Sequence, residues 1–77
     1  MSDAVEILVD ARGHRCPAPT LRLQRALRTA RTGQRVRLLA DDPLARIDVP
    51  HFLSEADGRL VESGDQDGVL SFLIEKT

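Results

Sequence analysis

Val5-Glu6-Ile7-Leu8-Val9-Asp10-Ala11-Arg12-Gly13-His14-Arg15-Cys16-Pro17-Ala18-Pro19 reads as a strand, a loop and the entrance to a helix. Val5, Ile7 and Val9 alternate on one side, with Glu6 and Leu8 on the other, which is the period of a half-buried strand. Gly13 gives the loop a residue free to take backbone angles that other residues avoid. The helix should start at Cys16 or Pro17, because the first helical amides have no partner inside the helix and proline suits that turn. Leu23, Ala26, Leu27 and Ala30 then recur at helical spacing as a buried stripe. Arg22, Arg25 and Arg28 line the opposite side, with Arg31 and Arg35 just beyond, and Gly33 is placed to end the helix.

Outward from this unit, Arg35 to Ala40 forms a second strand, with Val36, Leu38 and Ala40 pointing one way and Arg35, Arg37 and Leu39 the other. Asp41-Asp42-Pro43 leaves that strand, Asp42 as a helix N-cap and Pro43 as a first helical residue. Pro50 falls inside the helix that would follow, where it removes a hydrogen bond and crowds the previous turn. The spacing therefore predicts a short opening turn over 43–48 and a main helix from Pro50 to Ala56, capped by Asp48. Ile47, Val49, Phe52, Leu53 and Ala56 supply its apolar side. Asp57-Gly58 reads as a turn, Arg59 to Ser63 as a third strand, and Gly64 to Gly68 as a hairpin loop. Val69 to Glu75 is the fourth strand, with Leu70, Phe72 and Ile74 facing the core.

The order β-α-β-α-β-β, with right-handed crossovers, defines an α/β (α+β) two-layer sandwich. A four-stranded mixed sheet carries both helices on one face. Leu8, Leu39, Leu73, Arg35 and Arg37 fall on the other face, which reads as partly apolar and uncovered. Residues 1–77 make a single small domain with a thin core.

Composition narrows the function classes. No apolar run approaches the length of a membrane span. Phe52 and Phe72 are the only aromatic residues, which removes the stacking platforms of common single-strand nucleic-acid binders. Residues 1–40 hold eight arginines against three acids, and residues 41–77 hold two arginines and a lysine against nine acids. The formal net charge is nonetheless only −1, so direct nucleic-acid binding is not expected. A basic surface around Cys16 could instead steer an acidic partner. One cysteine and no N-terminal signal pattern point to a reducing, cytoplasmic setting.

Cys16 is the candidate reactive group. A free thiol has a pKa of about 8.5, and cationic neighbours or a helix N-terminus favour the thiolate. Arg12, His14 and Arg15 crowd its approach, and Pro17 and Pro19 stiffen the turn that follows. A dithiol cycle needs a second cysteine, which the chain lacks. A metal site needs more ligands than one cysteine and two scattered histidines offer, and no cofactor is implied. Too little chain remains to build a hydrolase cleft, and neither His14 nor His51 is placed beside the sulfur as a base. Covalent carriage and oxidative sensing stay open.

The run from Val9 to Pro19 resembles the signature of the TusA (SirA-like) sulfur-carrier family, built on a Cys-Pro-x-Pro motif. A second run, Ala40-Asp41-Asp42-Pro43 with Asp48-Val49-Pro50, resembles the same family's strand exit and following helix. The resemblance spans essentially the whole chain. It implies strand order 1-2-4-3 and a persulfide carried on Cys16, and Asp10, Arg12, Gly13, Pro17 and Pro19 match its pattern around that residue. It implies a donor such as a cysteine desulfurase or a rhodanese-like protein, and an acceptor cysteine on a partner such as a DsrE-like protein. Routes to tRNA thiolation, molybdenum cofactor and sulfur oxidation occur in the family. The chain would then be a sulfurtransferase-type relay rather than a stand-alone enzyme, and a monomer is the simplest expectation for a shuttle. Two positions depart from the pattern: His14 stands where an apolar residue such as Leu is usual, and Arg25 where Lys is frequent. The rival functions are a cysteine-based redox sensor or regulatory module, and a binding module that makes no use of the thiol.

Overall fold

A computed structural model describes residues 6–15 and 18–77. Its elements are β1 (Ile7–Asp10), α1 (Ala18–Thr29), β2 (Arg35–Ala40), α2 (Ala45–Leu53), β3 (Gly58–Gln66) and β4 (Val69–Lys76). The sheet order is β1-β2-β4-β3, with β1 and β2 parallel and the β2–β4 and β3–β4 pairs antiparallel. This is the mixed-sheet sandwich that the element order implied. The expected start of α1 at Cys16 or Pro17, and Val5 of the first strand, lie outside the described residues.

The sheet's inner face is set by register. Ile7, Val36 and Ile74 align across three strands, as do Val9, Leu38 and Phe72. Leu23 and Leu27 of α1 and Val49 and Leu53 of α2 complete the core, with Leu23, Val36, Leu38, Val49 and Ile74 essentially sealed from water. At about 25 cal/mol per Å² of apolar area removed from water, these side chains dominate what holds so small a chain together.

The second helix corrects the sequence reading. α2 runs unbroken through Pro50, and Asp48 lies within it rather than capping a second start. The Asp42 carboxylate accepts the Leu44 N–H at 3.1 Å. Tight turns follow, from Ala45 N–H to the Asp42 carbonyl (2.9 Å) and from Arg46 N–H to the Pro43 carbonyl (3.1 Å). The chain is therefore already winding before Ala45. Pro50 cannot donate to the Arg46 carbonyl, but both residues are exposed, so water can serve that carbonyl.

Gly33 does not end α1, which stops at Thr29. Lys76 Nζ donates to the Leu27 carbonyl at 2.6 Å, a cation on the negative end of the helix. Gly33, at φ 89, sits in the following turn, with its N–H on the Lys76 carbonyl at 2.7 Å.

The hairpin is also tighter than expected. β3 continues through Gln66, which pairs with Val69, leaving Asp67-Gly68 as a two-residue turn. Both have positive φ, 54 and 83, as a type I′ hairpin turn requires. Gly58 opens β3 rather than completing a turn. The strand carries an irregularity between Leu60 and Glu62.

The outer face is less open than its composition suggested. Leu8 remains 62% exposed, yet Leu73 is only 4% exposed. Leu73 of β4 lies opposite Arg37 of β2 and Glu62 of β3. These two side chains approach to 3.8 Å, so their contact passes over Leu73 and shields it. Arg37 also donates to Ser71 Oγ at 2.8 Å and to Glu6 Oε1 at 3.2 Å.

Candidate functional site

The parallel pairing of β1 with β2 brings the exits of both strands to one edge of the sheet. The Ala11 N–H extends that pairing by donating to the Leu39 carbonyl at 2.8 Å. The loop that leads to Cys16 therefore starts beside Ala40-Asp41-Asp42. Both helices enter from this same edge.

Six of the residues singled out in sequence meet here or close by. Asp10 ends β1, and its carboxylate receives Arg12 in a two-pronged pair: Nε to Oδ1 and Nη2 to Oδ2, each 2.8 Å. The Arg12 N–H adds a bond to Oδ1 at 3.2 Å. These bonds to Arg12 hold the Asp10 carboxyl down at about 2, and the carboxylate in turn holds the Arg12 guanidinium more firmly protonated. Gly13 takes φ 84, and the His14 N–H returns to the Ala11 carbonyl at 3.2 Å. His14 and Arg15 are exposed. The Arg15 carbonyl accepts the Ala18 N–H at 2.9 Å, which ties the loop to the first residue of α1. Pro19 is fully buried in that helix. Cys16 and Pro17 lie outside the described residues.

Two contributors were missed or misread in the sequence. Asp41 holds the Gly13 N–H between its two carboxylate oxygens, each at 3.0 Å. Its signal was the acidic pair at the exit of β2, which becomes meaningful only once β1 and β2 are known to be parallel neighbours. Arg22, which the sequence places only on the polar side of the first helix, donates its Nη1 to the Asp10 carbonyl at 2.8 Å. The loop is thus fastened to β2 through Asp41 and to α1 through Arg22.

This changes the electrostatics expected around Cys16. The Asp10–Arg12 pair is neutral as a unit, and Asp41 adds a negative charge beside it. With Arg12 paired, Arg15 remains as an exposed positive charge on the described loop. The described loop offers a tethered backbone and a local charge pattern, which suits presentation of one reactive atom to a visiting partner.

The comparisons place these features in a known class. A small sandwich of this kind occurs in the SirA-like protein from Desulfitobacterium hafniense, whose crystal structure matches with a TM-score of 0.78 at 28% identity, over 90% of this chain and 95% of that one. The family model described as sulfurtransferase TusA matches residues 7–76. The chain is 35% identical over 69 residues to the sulfur carrier protein TusA of Allochromatium vinosum, covering 90% of this chain and 91% of that protein. It is 32% identical over 76 residues to the sulfur carrier protein TusA of Pseudomonas aeruginosa, covering 99% and 96%. The chain belongs to the TusA family, as the motifs around Cys16 and Asp41 suggested. No helix among the described residues is long and apolar enough to cross a membrane.

Proposed function

We propose that this chain is a sulfur carrier that accepts sulfane sulfur as a persulfide on Cys16 and passes it to a cysteine of a partner protein. The observation that carries the reading is a TusA family match over 7–76 in a chain with a single thiol. Loading is attack by the Cys16 thiolate on the outer sulfur of a donor persulfide. A new S–S bond forms to Cys16, the donor's S–S bond breaks, and the electron pair leaves on the donor's cysteine as thiolate. Delivery repeats the step with Cys16 as the leaving group, so neither step needs an added oxidant or reductant.

The donor class is a cysteine desulfurase or a rhodanese-like protein, and the acceptor class is a DsrE-like protein. The relay works as one domain over 1–77, as a monomer, in the cytoplasm. Incubation with a cysteine desulfurase and cysteine, followed by intact-mass measurement, tests it. The expected result is a gain of one sulfur atom, reversed by reductant and absent in Cys16→Ser. A protein that takes no sulfur from desulfurase, rhodanese or inorganic polysulfide is not a carrier.

A further inference from the structure

The tether at Gly13 has the wrong location to be explained by stability. Asp41 and Gly13 are both exposed, so their hydrogen bond competes with water and contributes little to folding. The sheet does not need it either, since the Ala11 N–H already closes on the Leu39 carbonyl. What the bond does fix is the path of the loop. Gly13 sits at φ 84 with nothing within 4 Å of where a side chain would be, so side-chain packing does not hold this point of the loop. The Asp41 carboxylate reaches it across 28 positions of sequence, from the end of the neighbouring parallel strand.

We propose that Asp41 is a positioning residue for sulfur transfer: by accepting the Gly13 N–H it sets where the loop presents Cys16 to a protein donor. The inference rests on the sulfur-carrier reading. Attack on a persulfide requires the nucleophile to line up with the breaking S–S bond. A docked protein donor holds its persulfide in one place, so a wandering loop lowers the share of encounters that react. A small freely diffusing donor can find the thiol wherever the loop lies. Asp41 therefore governs transfer from proteins, and its effect on the intrinsic reactivity of the thiol is only that of one exposed charge.

The test compares wild type, Asp41→Ala and Asp41→Asn, with Cys16→Ser as the blank. Loading rates are followed by intact mass, once with a cysteine desulfurase and cysteine and once with inorganic polysulfide. Asp41→Ala is expected to load about tenfold more slowly from the desulfurase and within about twofold of wild type from polysulfide, with an unchanged melting temperature and faster exchange of the Gly13 amide. Asp41→Asn keeps an oxygen that can accept the Gly13 N–H and should recover most of the desulfurase rate. The assignment is overturned if Asp41→Ala matches wild type with the desulfurase, if it is equally slow with polysulfide, or if Asp41→Asn is as slow as Asp41→Ala. A wild type that takes up no sulfur from either donor overturns the carrier reading and this assignment with it, which separates the two failures.

Discussion

Arg12 grips Asp10, two residues before it, through two side-chain hydrogen bonds of 2.8 Å and one backbone bond of 3.2 Å. An arginine that the sequence offers as a free cation beside a reactive thiol is half of a neutral pair. The carboxyl of that pair stays ionised down to about pH 2, so the pairing persists wherever the thiol itself can titrate.

The first prediction concerns acid. Asp10 titrates near 3.8 when unpaired and at about 2 in the folded chain. Its ionised form therefore favours folding in full above about pH 4, and that contribution disappears as pH falls from 4 to 2. Asp10→Asn should melt lower than wild type at neutral pH and converge with it as pH approaches 2. Melting curves collected across that range check this. Parallel pH profiles for the two proteins would show that the pair contributes nothing to folding.

The second prediction uses the same pair to probe Cys16. Arg12→Gln removes the paired cation of the Asp10 carboxylate and should raise the apparent thiol pKa, by roughly a few tenths of a pH unit for one exposed charge. Asp10→Asn should lower it by a similar amount. The double variant removes a neutral unit and should return close to wild type. Thiolate absorbance against pH reads all four proteins. An unchanged titration in both single variants would place the pair outside the electrostatic reach of the sulfur.

The architecture was legible in the sequence because alternation and helical spacing are written locally. Val36, Leu38 and Ala40, or Leu23 and Leu27, declare their faces without reference to distant residues. What escaped depends on partners. Leu73 looked exposed because alternation put it on the outer face, and only register reveals that Arg37 and Glu62 close over it. Gly64 reads locally as the start of a loop, and only the pairing of Gln66 with Val69 confines the turn to Asp67-Gly68. At the site, Asp10 and Gly13 stood out by type and position. The carboxylate that holds Gly13 comes from another strand, so the sequence showed Asp41 only as a strand exit.

Pro50 supplies the third prediction. It interrupts the hydrogen-bond ladder of α2 at an exposed position. Proline inside a helix costs about 3 kcal/mol, partly offset by the freedom it removes from the unfolded chain. Pro50→Ala should therefore stabilise the protein by about 1–2 kcal/mol, read from the midpoint of urea unfolding at an unchanged slope. A midpoint equal to or below that of wild type would mean that α2 is already relaxed around the ring.

The last prediction tests the packing that fixes the start of β3. A Cβ built on Gly58 would lie 2.9 Å from Ile74 Cγ2, 3.1 Å from Leu27 Cδ1 and 3.2 Å from Leu53 Cδ2. Those neighbours belong to β4, α1 and α2, so the Gly58 backbone is pressed against the point where both helices meet the sheet. Ile74 is sealed from water and Leu27 and Leu53 are buried, so an added Cβ must displace core side chains. Gly58→Ala should cost about 1–3 kcal/mol, the usual range for overpacking. Gly64 lies in the same strand with nothing within 4 Å of its added Cβ, so Gly64→Ala is the control and should change stability by less than about 1 kcal/mol. Urea unfolding of both variants decides the matter. If Gly58→Ala is as stable as Gly64→Ala, the close approach of β3 to the helices is not what requires glycine there. If only Gly58→Ala loses stability, the residue that looked like half of an Asp-Gly turn is retained for the absence of its side chain in the core.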